Sequence, residues 1–149
     1  IMIEPYKVRQ LLVRSEKARK HLLQPYFSQI GLAFGQGHAR ILDALMKKDH
    51  VTQKELADTC HMDVTTMSRS LDRLEESGYL VRERDPGCRR SFLICLTGEG
   101  IMEAEKVHQV LDFVDRQIWK GLTPEEMEQF CACLEKICDN LEHCDFTPL

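Results

Sequence analysis

Apolar residues recur every three or four positions along most of the chain, and one stretch breaks that rhythm with a two-residue alternation. Val8, Leu11, Leu12, Ala18 and Leu22 form a stripe that predicts a helix over 6–23, which Pro25 should end or kink by removing a backbone donor. Gly31, Gly35 and Gly37 mark a break, and Ile41, Leu42, Leu45 and Met46 supply the inward face of a helix over about 38–48. Thr52 with Glu55 is a capping-box start, followed by Leu56 and Ala57 facing a core. Asp63 is a second N-cap, and Val64, Met67, Leu71 and Leu74 form the buried stripe of the next helix, which Gly78 should end. The alternation then begins: Leu80 to Arg84 and Ser91 to Leu96 read as two strands around an Asp85-Pro86-Gly87 turn. After Thr97 the helical period returns through Ile101, Ala104, Val107, Leu111, Val114 and Ile118. Thr123-Pro124-Glu125-Glu126 then opens a last helix with Met127, Phe130, Cys131, Leu134, Ile137, Cys138 and Leu141 on one face.

This order predicts a mainly α fold with a small two-stranded β wing. A winged helix-turn-helix lobe over 35–97 is flanked by helical dimerisation segments at 1–34 and 98–149. The end helices are amphipathic and none is stable alone in water, so their apolar faces need partners, which a homodimer supplies. Opposite the apolar stripe of the Asp63-capped helix lie Thr65, Thr66, Ser68, Arg69, Asp72 and Arg73. Small hydroxyls let a helix approach base edges, and guanidinium groups reach guanine or phosphate, so this face suits the major groove of DNA. Arg89 and Arg90 at the wing tip suit the adjacent minor groove. Gln53, or Thr52 before it, stands where free helix N–H groups hold a phosphate. The plainer reading of the same residues is a solvated helix face and a polar turn.

The stretch from Thr52 to Thr97 resembles the MarR family of bacterial transcription regulators. The carriers are Thr52-Gln53-Lys54-Glu55-Leu56-Ala57, Leu71-Asp72-Arg73-Leu74-Glu75 with Gly78, Asp85-Pro86 through Arg89-Arg90, and Leu96-Thr97 with Gly100. The resemblance implies a homodimer on double-stranded DNA at a palindromic operator, usually a repressor released by a small-molecule effector or an oxidant. It places the ligand cleft near Tyr26, Phe34 and His38, which could equally be ordinary core filling. The chain departs from the family pattern in three places: Cys88 stands where an Asp usually precedes the tip arginine, His61 where a turn Gly is usual, and Cys60 where an apolar residue is usual.

Length, charge and cysteine usage narrow the reading. A chain of 149 residues fits one domain with a dimerisation layer. The net charge of −4 is unevenly spread: +5 over residues 1–51, −1 over 52–96 and −8 over 97–149. The middle segment's arginines sit on the reading helix and ribbon, whereas acids such as Glu55, Asp63, Glu75 and Glu76 occupy cap or helix-back positions. No run of 18 apolar residues suggests a membrane span, and the seven cysteines lack a disulfide-framework spacing, so a cytoplasmic protein is expected. Cys88 in an exposed turn beside two arginines is the best redox candidate, since neighbouring cations favour thiolate. The six histidines form no ligand motif, so no metal or cofactor is expected. No phosphate loop, nucleophile elbow or paired-acid motif points to an enzyme. Two alternatives stand beside the ligand-released regulator: a redox-responsive regulator of the same fold, and a winged-helix protein-interaction module that does not bind DNA.

Overall fold

The computed structural model describes residues 2–29 and 36–148. Six helices and three short strands follow the order α1 (Pro5–Gln29), α2 (Gln36–Lys47), β1 (Val51–Thr52), α3 (Gln53–Cys60), α4 (Val64–Glu76), β2 (Leu80–Arg84), β3 (Phe92–Leu96), α5 (Gly98–Trp119) and α6 (Pro124–Glu142). The chain divides into two compact units, one ending at Val114 and the other beginning at Asp115.

The first unit holds the core. Leu23, Ile41, Leu42, Leu45, Leu56, Met67, Leu71, Leu74, Leu80, Ile94 and Val107 are almost wholly buried. Burying a side chain of this size contributes roughly 1.5–3 kcal/mol, so these positions fix how α2, α3, α4 and the strands stack. The ribbon forms as expected: β2 and β3 pair antiparallel with Leu80 opposite Leu96 and Arg82 opposite Ile94. It also gains a third strand, because β1 pairs with the other edge of β3 through Val51–Ile94 and Thr52–Leu93. Two residues are too few to show a periodicity, so the alternation could not announce β1.

Several expectations are corrected. The helix does not end at Pro25 but continues to Gln29. Leu23 and Phe27, on either side of that proline, are buried in the core, and their packing outweighs the missing donor. Val8, Leu11, Leu12 and Leu22, the stripe expected to need a partner, are exposed in the single chain. Met46, Ile101 and Ile118 are also exposed, while Ala104, Val107 and Val114 keep the α5 stripe. Val64 is 65% exposed at the start of α4 and does not join Met67, Leu71 and Leu74.

In the second unit Thr123 and Glu126 close a reciprocal capping box, with N–H···O distances of 2.8 and 3.2 Å. The Trp119 and Phe130 rings meet edge to face, 6.0 Å apart. No α6 residue is buried: Met127, Leu134 and Ile137 are half-covered, and Phe130, Cys131, Cys138 and Leu141 are exposed.

Candidate nucleic-acid interface

The site is built on α3 and α4 with their turn. The Thr52 hydroxyl accepts the Glu55 N–H at 3.2 Å, which sets the start of α3. His61 turns the chain with φ 51° and ψ 47°, a left-handed conformation that histidine tolerates better than bulkier or branched residues. The Met62 N–H then donates to the Ala57 carbonyl at 2.9 Å, closing the end of α3. Asp63 caps α4 by accepting both the N–H and the hydroxyl of Thr66, at 2.8 and 2.7 Å. Those two bonds, the hydroxyl's first, hold the Asp63 carboxyl below its usual range. The Thr66 hydroxyl proton is therefore committed to the cap, and its oxygen is left to accept.

With Met67, Leu71 and Leu74 buried, the opposite face of α4 is presented outward. Thr65, Thr66, Arg69, Asp72 and Arg73 are exposed, and Ser68 is half-buried. Sequence reasoning missed what controls this face. Arg82, on β2, donates to Asp72 at 2.9 Å and pairs with Glu75 through its other guanidinium nitrogen. The wing is thereby braced against α4, and Asp72 and Glu75 share one fixed counter-charge. The signal was present in the three-residue spacing of Asp72 and Glu75, but nothing in the sequence says which cation meets them.

The wing tip is closed by its own backbone. Asp85 N–H donates to the Ser91 carbonyl at 3.1 Å and Cys88 N–H to the Asp85 carbonyl at 3.2 Å. The Asp85 carboxylate also accepts the Gly87 N–H at 2.9 Å, an Asx turn that holds the loop next to Cys88. Arg89 and Arg90 are exposed there. Arg90 also lines a cleft of about 320 Å³ with Gln53, Lys54 and Arg82, at the start of α3. Besides Arg82, which is paired with Asp72 and Glu75, two cations and a helix N-terminus thus converge, an arrangement suited to a phosphate.

Cys88 is exposed and its thiol is shifted down, first by a hydrogen bond from the Ser91 hydroxyl and then by the Arg90 backbone N–H. This corrects the sequence-based cause, since the shift comes from hydrogen bonds and not from the arginine charges. Of the three expected ligand residues, Phe34 lies outside the described residues. Tyr26 packs on Phe113 with ring centroids 5.9 Å apart. His38 is buried and lines a cavity of about 500 Å³ with Arg40, His61, Asp63, Arg69 and Arg73. Among the described residues this cavity is lined mainly by polar and cationic side chains, and it does not include Tyr26. Burial, and then the Arg73 charge, push the His38 imidazole below its usual value. Arg40, another residue the sequence did not single out, donates to the Cys60 carbonyl at 3.1 Å.

Similarity to known proteins agrees with this geometry. The MarR family model matches residues 31–91. An uncharacterized HTH-type transcriptional regulator of Bacillus subtilis, YkoM, is 33% identical over 73 residues, covering 49% of this chain and 47% of that protein. The chain thus matches about half of that relative's length. The multiple antibiotic resistance protein MarR of Escherichia coli is 28% identical over 127 residues, 85% of each chain. The crystal structure of a mutant E. coli MarR complexed with operator DNA superposes with a TM-score of 0.75 at 25% identity, covering 88% of this chain and 93% of that one. A matched family model over residues 31–91, relatives named as transcriptional regulators, and a fold shared with MarR structures across nearly the whole chain make the chain similar to the MarR family of transcription regulators.

Proposed function

We propose that the protein is a homodimeric, sequence-specific DNA-binding transcription regulator, acting as a repressor in the cytoplasm and released from a palindromic operator by a small ligand. The observation that carries this reading is the outward face of α4, with Thr65, Arg69 and Arg73 exposed beside a wing that carries Arg89 and Arg90. The exposed apolar residues of α1 and of α6 support dimerisation, since faces of this kind are covered in stable proteins. The named E. coli relative complexed with operator DNA supports the duplex as partner. The cationic cavity beside α4 suits an anionic effector, which would compete with DNA for Arg69 and Arg73.

The test is selection of bound duplexes by the purified protein, followed by mobility shifts on the selected site. Arg73→Ala and Arg90→Ala should each weaken binding by about tenfold or more, the size of a lost guanidinium contact of roughly 1–3 kcal/mol, with the dimer unchanged. The logarithm of the affinity should fall linearly with the logarithm of salt. Wild-type binding by both variants would remove the helix-and-wing assignment. Absence of any shift at low salt would favour a module that docks to protein instead.

A further inference from the structure

Three metal-binding side chains from separate parts of the first unit come together at the root of the wing. Asp49 and His50 end the α2–β1 connection, and Cys95 lies on β3. The β1–β3 register, with Val51 opposite Ile94, carried back one residue places His50 beside Cys95. One donor atom from each of Asp49, His50 and Cys95 lies within 4.8 Å of the other two. We propose that this cluster is a binding site for a divalent transition-metal ion of the zinc class, with the Cys95 thiolate, the His50 imidazole and the Asp49 carboxylate as protein ligands.

The geometry and the donor types both favour such an ion. The Asp49 Oδ2 and His50 Nδ1 atoms are 3.5 Å apart. Two donors about 2.1 Å from a tetrahedral zinc stand roughly 3.4 Å from each other, so an ion fits between these two with little movement. Asp49 is held in place for the task, because its other oxygen accepts the Leu96 N–H at 3.0 Å. His50 is fixed in a left-handed turn, φ 56°, which presents it next to β3. Cys95 is 3% exposed, whereas the Asp49 and His50 side chains keep 32% and 59% of their surface, so the ion enters from the solvent side and meets a shielded sulfur. A sulfur and an imidazole beside one carboxylate discriminate against magnesium and calcium, which take oxygen donors.

On binding, the Cys95 S–H proton leaves to solvent and the sulfur lone pair forms the metal bond, with no change of oxidation state. Glu83, which faces the thiol from β2, or a water completes a fourth position. Ligation would tie the α2–β1 connection to the ribbon at the base of the wing. The inference is independent of the DNA reading, because it concerns the metal and the protein alone.

Cobalt(II) titration of the purified protein, kept reduced, reads the site directly. A thiolate-to-cobalt band in the near ultraviolet, with visible bands of tetrahedral intensity, should saturate at one ion per chain and be displaced by zinc. Cys95→Ser and His50→Ala should each abolish the near-ultraviolet band, while a variant with Cys88, Cys131, Cys133, Cys138 and Cys144 all changed to serine should keep it. Far-ultraviolet circular dichroism establishes that each variant is folded, and His50→Ala, at an exposed position, gives the answer if Cys95→Ser is not. No sulfur-to-cobalt band in the wild type, or a band that survives either ligand substitution, would overturn the site.

Discussion

Gly100 offers a substitution whose sign separates two physical effects. It lies in the first turn of α5, and its N–H donates to the Thr97 hydroxyl at 3.0 Å. A Cβ built on it would stand 1.8 Å from the Tyr79 carbonyl oxygen and 2.8 Å from the Tyr79 carbonyl carbon. Carbon and oxygen normally touch no closer than about 3.3 Å, so the two backbones must separate by roughly 1.5 Å. That oxygen cannot move alone, because it accepts the Thr97 N–H at 3.1 Å, and the Thr97 hydroxyl donates to the Gly78 carbonyl at 2.6 Å. Overpacking against fixed atoms costs about 1–3 kcal/mol or more. A stretched hydrogen bond adds about 1 kcal/mol. Helix propensity alone would reward alanine by up to about 1 kcal/mol. The net expectation for Gly100→Ala is a loss of about 2 kcal/mol or more. In a chain of this length that lowers Tm by roughly 4–8 °C. Gly98→Ala is the control, since a Cβ there meets nothing within 4 Å, and it should leave Tm unchanged or slightly raised. Thermal melts followed by circular dichroism at equal protein concentration decide the matter. If Gly100→Ala melts at or above the wild type, the close approach of α5 to Tyr79 is wrong.

Three further outcomes follow from the site. His38 has its folded-state value pushed below the usual imidazole value of about 6.5, so it contributes stability above that pH which is lost as pH falls through the lowered value. Tm should therefore drop between pH 7.5 and 5.5, and His38→Gln should flatten that drop; an unchanged slope would rule out His38 as its source. Arg82→Met should cost about 1 kcal/mol or less in stability, because its partners are largely exposed, but should weaken operator binding more than that. Asp72→Asn added to Arg82→Met should restore part of the binding, and an Arg82→Met variant that binds like the wild type would dismiss the brace. Cys88 should be alkylated with a pH midpoint below that of the same thiol in urea, where its bonds to Ser91 and the Arg90 N–H are gone; coincident midpoints would contradict the shift.

Local chemistry was legible wherever neighbouring residues supply both partners. The caps at Thr52, Asp63 and Thr123 and the end of α4 at Gly78 were readable because each is closed within a few residues. The two ribbon strands were readable because their alternation spans five residues each. What failed needed distant contacts. Pro25 does not end its helix because Leu23 and Phe27 are held in the core. The β1 strand has only two residues and exists because β3 offers a free edge. In the candidate interface, the outward placement of Thr65, Arg69 and Arg73 followed from the apolar period. The Arg82 brace, the cationic cavity around His38 and the meeting of Asp49, His50 and Cys95 did not, since each joins elements far apart in the chain.

The pairing of Arg82 with Asp72 and Glu75 has a consequence for how the medium acts on the protein. Bare carboxylates on a surface turned toward a polyanion would gather sodium or potassium from solution, and their influence would change with whatever electrolyte the cell contains. Here one counter-ion, shared by the two carboxylates, is tethered to the polypeptide and cannot be diluted or exchanged. The local field of α4 is therefore written largely by folding, and swings in cellular salinity act chiefly on the arginines left facing outward.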